Sequence, residues 1–565
     1  MILQALYDYY NRSKGKLPVF GRELKEIGFL IVLDQEGNFI RFEDRRIDNK
    51  HAQRFLVKKS VGRTSAPVAN YLYDNSAYVF GYSDKGNTEK LFNTFKAKIE
   101  EIYQSAPDNE DIKAVYRFYQ NDLSNILSCL QQDPLWNEVE KNLSKKYSNF
   151  SFLVEGKMKI AAENEDLLAL FSNEDSSDEH ICLVSGEKGK TVETTTATMI
   201  PGSQATAKLV AFQVKSGYDS YGKEKGYNAP ISERAEFAYT TALNHLLASD
   251  SRNKFAIGDR TFVFWASKDD DAGKQAEESI FSLFGFKEDD DPDRGIEQVR
   301  KVFSSIYSGN IKTSLDDRFF ILGLAPNAAR IAVTYWAEIP LKEFAALILR
   351  HFEDMEIMDT RKEQKPYMSL RSILSAVTLG GKSSDATPNL PEGIVKSIFQ
   401  GLPFPYTLFA SCIRRIRAEQ TIGITRAAIV KAYLNRINNI KDISIMLDKE
   451  NVNQGYLCGR LFAVLDKIQG DANDQHSIRE RYMNAASSTP AAVFSTILNL
   501  SSHHSEKLSE GRKIYFEKLK QEIIDKISAD GFPTHLDLQD QGRFFVGYYH
   551  QLQSFYAKDS ETTKE

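Results

Sequence analysis

The chain has 565 residues, 42% of them hydrophobic and 26% charged, with a formal net charge of −5. That length exceeds what one hydrophobic core serves, so about two to four domains are expected. The mild acidity excludes a uniformly basic protein and leaves room only for local nucleic-acid surfaces.

Residues 3–10 read as a short amphipathic helix, and the N-terminus has no signal-peptide h-region. Segments 29–33 and 38–42 read as a hairpin around the turn signal Asp34-Gln35-Glu36-Gly37. Over 45–63 the charge is one-sided: Arg45, Arg46, Lys50, Arg54, Lys58, Lys59 and Arg63 oppose only Asp48. Stretch 58–82, KKSVGRTSAPVANYLYDNSAYVFGY, then mixes cations, amides and tyrosines. Cations hold phosphates, amides can read base edges and rings can stack on bases, so this is a nucleic-acid contact kit. The alternative is an ordinary loop and strand in which Tyr71, Tyr73 and Tyr78 serve packing.

Helical spacing continues over 90–104 and 110–130, and 150–154 and 181–185 look like strands. LVAFQV at 209–214 is strand-like and leads into a long loop, KSGYDSYGKEKGYNAP. A helix is expected over 231–248 with Ser232 as N-cap, then a buried strand at 261–266. Acidic loops are expected at 269–271 and 288–293, and two more strands at 319–325 and 331–339, joined by Pro326-Asn327-Ala328. After Pro340 the period-2 signal vanishes. Leu457, Leu461, Val464, Leu465 and Ile468 share one helical face, and Phe544, Phe545, Tyr548, Tyr549, Leu552, Phe555 and Tyr556 repeat the spacing with aromatics that read as core.

The fold class is therefore α+β: a mixed α/β part, 1–340, a helical part with a basic face, 341–445, and a helical segment, 446–565. In the second part Arg414, Arg415, Arg417, Arg426, Lys431, Arg436 and Lys441 oppose only Glu419. Two basic clusters on an acidic chain suit binding along a charged polymer; solvated helix faces are the other reading.

Enzyme motifs are scarce. Ser185-Gly186-Glu187-Lys188-Gly189-Lys190-Thr191 has Val184 where a phosphate-binding loop needs glycine, and the threonine-rich sequence after it favours strand or loop over helix. Gln213-Val214-Lys215 has the lysine of some nuclease sites without acidic metal ligands on the preceding strand. The nine histidines offer no metal-ligand spacing. Cys129, Cys182, Cys412 and Cys458 form no C-x-x-C pair, which suits a reducing cytosol. No apolar run reaches membrane-spanning length. A cytoplasmic, non-catalytic protein without cofactor, metal or membrane partner is expected. The competing reading is a divergent metal-dependent nuclease using Asp219 or Glu224.

The opening MILQALYDYY, GRTSAPVANYLYDNSAYVFGY, ICLVSGE with LVAFQV, SYGKEKGYNAPISERAEFAYTTALN with IGDRTFVFWA, FFILGLAPNAARIAVTYW, GYLCGRLFAVLDKIQ and QGRFFVGYYHQ together resemble the large subunit of the type I-C CRISPR surveillance complex, Cascade. The resemblance runs through essentially the whole chain. It departs at TVETTTATMIPG, and at Gln213 and Lys215. It implies a subunit beside the backbone subunit that grips the CRISPR RNA handle. There it would read a protospacer-adjacent motif in target duplex DNA, help open the strands and support a helicase-nuclease. Guide pairing would read the long sequence, leaving the protein a few base pairs. It also implies a small subunit translated from an internal start, with Met446 the natural candidate and Met483 the runner-up.

From residue chemistry within that implied function, Lys58, Lys59 and Arg63 are expected to hold phosphates while Thr64 and Asn70 approach motif bases. Ser220, Tyr221, Lys223 and Asn228 would form a second contact loop near the separating strands. Arg414, Arg415 and Arg417 would guide a strand along the helical part.

Overall fold

The computed structural model describes residues 1–13, 15–61, 66–83, 88–145, 147–170, 179–198, 200–212, 219, 221–284, 296–361, 368–438, 442–473 and 477–557. Two compact units divide the chain, one of Leu3–Thr196 with Ala211–Leu243, the other of Ala197–Val210 with Asn244–Glu565.

In the first unit, β1 (Arg22–Glu26), β2 (Phe29–Leu33), β3 (Phe39–Asp44), β4 (Arg54–Lys58), β5 (Tyr73–Asn75), β6 (Asn149–Val154), β7 (Glu179–Ile181) and β8 (Lys188–Lys190) form three sheets. The largest has order β3-β2-β6-β5. Its β2–β3 hairpin forms as the turn signal predicts: Asp34 Oδ1 accepts the Asn38 N–H at 2.7 Å, and Gly37 takes a left-handed φ of 87°. Every residue of β2 is buried, as a central strand covered on both faces requires. β2 runs parallel to β6, so the chain between them must cross over, and it does so largely through helices. Phe29 and Phe150 stack across that parallel pair at 5.7 Å.

The helical spacing of 110–130 resolves into two helices, Glu110–Phe118 and Leu123–Gln131, broken where the buried Tyr119 turns to donate its hydroxyl to the Val79 carbonyl at 2.6 Å. The strand expected at 181–185 ends at Ile181, because Cys182 accepts the Gly186 N–H and closes a turn. Residues 209–212 form no strand, and Gln213 and Val214 lie outside the described residues.

The second unit holds β9 (Lys254–Ile257), β10 (Arg260–Ala266), β11 (Arg318–Asn327) and β12 (Arg330–Pro340), an antiparallel sheet of order β12-β11-β10-β9. Helix Leu341–Met355 leaves β12 directly and stacks Phe344 on Phe319 at 4.4 Å. One apolar cluster then runs from Phe255 to Tyr549. The strand-to-helix change at 340 is therefore continuous packing, and the division between units falls earlier. The acidic stretch 288–293 lies outside the described residues.

Helices Gln454–Asn473 and Leu538–Ser554 approach through glycines. A Cβ on Gly455 would stand 2.5 Å from the Asp540 carbonyl oxygen, and one on Gly459 would overlap that of Phe544. The aromatic stripe is core: Phe544, Phe545, Tyr548 and Tyr549 are all buried. Met446 is half-buried in the connector before Gln454, and Met483 is buried within helix Ser477–Ala486. Among the described residues no helix is long and apolar enough to cross a membrane.

Candidate nucleic-acid interface

The end of β4 is tied down more tightly than its charge suggests. β4 pairs with β1, which sets Lys58 opposite Arg22. Lys58 lies half-buried, its ammonium 5.2 Å from the centre of the Tyr71 ring. Burial, then the neighbouring Lys98 ammonium, push its pKa down. Lys98, on helix Glu89–Ser105, was missed in the sequence because only tertiary packing carries it to β4; Glu101 pairs with it at 2.7 Å.

Lys59 turns inward. Its ammonium donates to Thr196 Oγ1 at 2.8 Å and stands 3.4 Å from Glu236, a buried carboxylate on helix Glu233–Leu246. The expected phosphate contact, Lys59, is thus engaged in an internal tie in this structure while its side chain keeps 30% exposure. Ser232 caps that helix as expected, its Oγ accepting the Ala235 N–H at 3.2 Å.

Asn70, the expected base contact, is internally bonded as well. It is 6% exposed, its Oδ1 accepts the Val61 N–H at 2.9 Å and its own N–H reaches Asp74 at 3.0 Å. That burial does not present its amide to a base edge. The tyrosines beyond it pack: Tyr71 donates to the Leu167 carbonyl at 2.6 Å, and Tyr73 is fully buried. Arg63 and Thr64 lie outside the described residues.

The second loop is built on the same framework. Residues Lys225–Asn228 form a 3₁₀ turn whose Gly226 donates its N–H to the Glu193 carbonyl at 3.1 Å. No side chain fits at Gly226, where a Cβ would overlap the Val192 carbonyl oxygen. Lys225 pairs with the Glu193 carboxylate at 2.6 Å, and Asn228 donates to the Lys223 carbonyl at 2.6 Å. Asn228 thus braces the loop, while Tyr221 is fully exposed and Lys223 is exposed. Tyr221 has a left-handed φ of 53°, which is uncommon for a bulky side chain. Ser220 and Lys215 lie outside the described residues; Asp219 and Glu224, the carboxylates of the nuclease reading, stand on the loop itself.

Segment 193–196 joins the two predicted loops. Thr196 takes Lys59 from the end of β4, and Glu193 takes Lys225 and Gly226 from the second loop. Stretches about 160 positions apart in sequence are therefore anchored on four consecutive residues.

The helical cluster, in the second unit, disperses. Arg436 and Lys431 are buried, the former 2.5 Å from Asp354, the latter donating to the Asp354 carbonyl at 2.9 Å. Arg415 and Arg426 both pair with Glu419, and Arg417 contacts Gln541 at 3.4 Å. Arg414 is exposed, and Lys441 lies outside the described residues. Of the basic face expected there, Lys431 and Arg436 are thus internal and Arg415, Arg417 and Arg426 half-buried, because the cations bind carbonyls, carboxylates and amides of neighbouring helices. Residues 185–191 form a turn and β8 with no helix after them, unlike a phosphate-binding loop. Among the described residues, no group of three or more His, Cys, Asp or Glu side chains is placed to hold a metal ion.

A family model described as CRISPR-associated protein (Cas_Csd1) matches residues 6–556, spanning both units. The chain belongs to this family. Cas_Csd1 proteins are the large subunits of type I-C Cascade, and the resemblance read from the sequence blocks is thereby established for nearly the full length. Comparison with curated proteins returns no match.

Proposed function

We propose that this Cas_Csd1 chain is the non-catalytic large subunit that reads the protospacer-adjacent motif in duplex DNA, aids strand opening and supports helicase-nuclease recruitment. One observation carries the reading: segment 193–196 anchors both the β4 end and the loop bearing Tyr221 and Lys223. A protein that delegates long sequence to guide pairing needs only a small platform that places a few base contacts beside phosphate contacts. Arg63 and Lys223 hold phosphates in this reading, Thr64 faces the motif and Tyr221 meets unpaired bases; Arg414 remains as the outlying contact of the helical unit. The CRISPR RNA and the backbone subunits are the proposed partners, together with a small subunit started at Met446. The reading is of a protein that binds nucleic acid without cutting it, in the cytoplasm.

The test is binding by complex reconstituted with CRISPR RNA. Arg63→Ala and Lys223→Ala are each expected to weaken duplex binding and lower the salt slope by about one. Unchanged affinity and slope in both variants would sink the proposal. Incubation with single- and double-stranded DNA plus magnesium or manganese tests the nuclease reading; cleavage abolished by Lys215→Ala would establish it instead.

A further inference from the structure

Loop 221–228 holds one bulky side chain in a conformation that its own packing does not stabilise. Tyr221 takes a left-handed φ of 53°, Gly222 one of 71° and Lys225 one of 50°. Glycine adopts that region freely and asparagine is enriched there, whereas a bulky side chain meets steric resistance. Strain of this kind persists where the surroundings over-determine it, usually around a packed side chain. Tyr221 is fully exposed, so its ring buries no area. Asparagine or glycine at 221 would carry the same backbone with less strain. The ring is therefore not there for the fold.

The loop nevertheless has a fixed base. Residues 226–232 run along 182–193: Gly226 donates its N–H to the Glu193 carbonyl, Val192 to the Ile231 carbonyl at 3.0 Å, Leu183 to the Pro230 carbonyl at 2.9 Å and Ser232 to Cys182 Sγ at 3.2 Å. Gly226 is buried with no room for a Cβ, which fixes where the backbone enters the loop. Three consecutive residues then reach back toward the tip. Asn228 Nδ2 donates to the Lys223 carbonyl at 2.6 Å, and the N–H groups of Tyr227 and Ala229 donate to the carbonyls of Glu224 and Gly226 at 3.2 and 3.1 Å. The ion pair of Lys225 with Glu193 is 36% and 59% exposed and adds little, so Gly226 and Asn228 carry the shape of the tip.

An exposed ring beside the exposed Lys223 offers a π-face for a base and a cation for its phosphate. We infer that Tyr221 is a stacking platform for one unpaired base of an opened strand, displayed before the strand arrives by a loop that Gly226 and Asn228 shape. This role rests on the proposed strand opening. Because every base has a π-face, the contact selects for an opened strand and not for its sequence. Asn228, expected from the sequence to touch DNA, becomes a positioning residue that acts through Tyr221. A tip ordered in the free chain loses less freedom on binding.

The experiment uses complex reconstituted with CRISPR RNA and DNA duplexes that carry a short unpaired bubble beside the adjacent motif, with 2-aminopurine stepped through the bubble. Stacking on Tyr221 quenches the fluorescent base. Tyr221→Asn removes the ring and keeps a residue suited to the left-handed backbone. It is expected to lose the quench and about tenfold in bubble affinity, whichever bases fill the bubble. The urea midpoint of the free chain should stay level or rise in the same variant. Tyr221→Phe keeps the ring and should keep both signals. Asn228→Ala is expected to weaken affinity about threefold, and to add no further loss to Tyr221→Asn. An unchanged quench and full affinity in Tyr221→Asn overturn the stacking role. Equal losses in Tyr221→Phe and Tyr221→Asn would make the hydroxyl the contact, and reduced complex assembly would make it a protein contact; either result overturns stacking as well. Additive losses in the double variant overturn the positioning role of Asn228. Arg63→Ala and Lys223→Ala, run alongside, separate the two failures. If both bind like the parent, the proposed DNA reading falls; if both weaken while Tyr221→Asn binds normally, only the stacking role does.

Discussion

Lys59 and Glu236 are joined across the first unit, ammonium to carboxylate at 3.4 Å, with the Glu236 side chain 4% exposed. The other Glu236 oxygen accepts the Thr196 N–H at 2.5 Å, so the carboxylate meets a cation and a backbone donor together. Lys59→Met strips the cation and leaves the buried carboxylate without that partner. Because Lys59 itself keeps 30% exposure, the expected loss is about 1–3 kcal/mol, below that for a fully enclosed pair. Urea unfolding of the free protein checks it, and Glu236→Gln in the Lys59→Met background should recover part of the loss. Unaltered stability in Lys59→Met would return Lys59 to the pool of DNA contacts.

Arg436 and Arg414 share one basic run in the sequence and should behave as opposites. Arg436 donates to Asp354 and to the carbonyls of Ser397 and Leu402 at 2.6 and 2.8 Å, and lies 4.4 Å from the Phe404 ring centre. Arg436→Met leaves Asp354 and those carbonyls without their donor, with an expected cost of about 3–5 kcal/mol. Arg414→Glu, on an exposed face, should change stability by no more than about 0.5 kcal/mol. Denaturant midpoints for the two variants decide whether the run is scaffold or surface.

The same pair shows where the sequence was legible. The strand-like segments 319–325 and 331–339, the Asp34–Gly37 turn and the Ser232 cap are local signals, and each produced the element it predicted. Charge counting is local too, but the partner of a charge is not. Arg436 meets Asp354 from 82 positions away and Lys59 meets Glu236 from 177, so a run of cations cannot reveal which of them face water. Asn70 misled for a related reason: a short amide among tyrosines looks the same whether it meets a base or a neighbouring N–H. Lys98 gave no motif signal, since only helix packing brings it to the end of β4.

Gly459 and Gly511 both sit within helices, where alanine is intrinsically favoured by about 1 kcal/mol. Packing should reverse that preference at one of them. A Cβ at 459 would overlap the Phe544 carbonyl oxygen, whereas at 511 no atom lies within 4 Å. Gly459→Ala is expected to destabilise by about 1–3 kcal/mol as the helix pair is forced apart. Gly511→Ala should be neutral or stabilise by up to about 0.5 kcal/mol. Thermal unfolding of the two variants side by side provides the comparison, and a stabilised Gly459→Ala would refute the close helix approach.

His550 and His351 make the second unit acid-sensitive. Both are buried, and burial holds the pKa of each down to about 3, with Lys431 adding to the effect at His550 and Arg436 at His351. His550 is further fixed by Tyr456, whose hydroxyl lies 2.9 Å from Nδ1. In the unfolded chain each histidine takes up a proton near pH 6.5, while the folded chain keeps it neutral down to about 3. Between those values the unfolded state binds more protons, so stability is full above about pH 6.5 and falls as pH is lowered towards 3, by up to about 1.4 kcal/mol per pH unit for each histidine. Replacing His550 with Gln removes one titrating group without adding a charge. Urea midpoints measured from pH 7 to pH 4.5 should then fall less steeply than in the parent, whatever the variant's stability at neutral pH. Parallel slopes would show that His550 is protonated in the folded chain, and that its burial is not what sets the acid response.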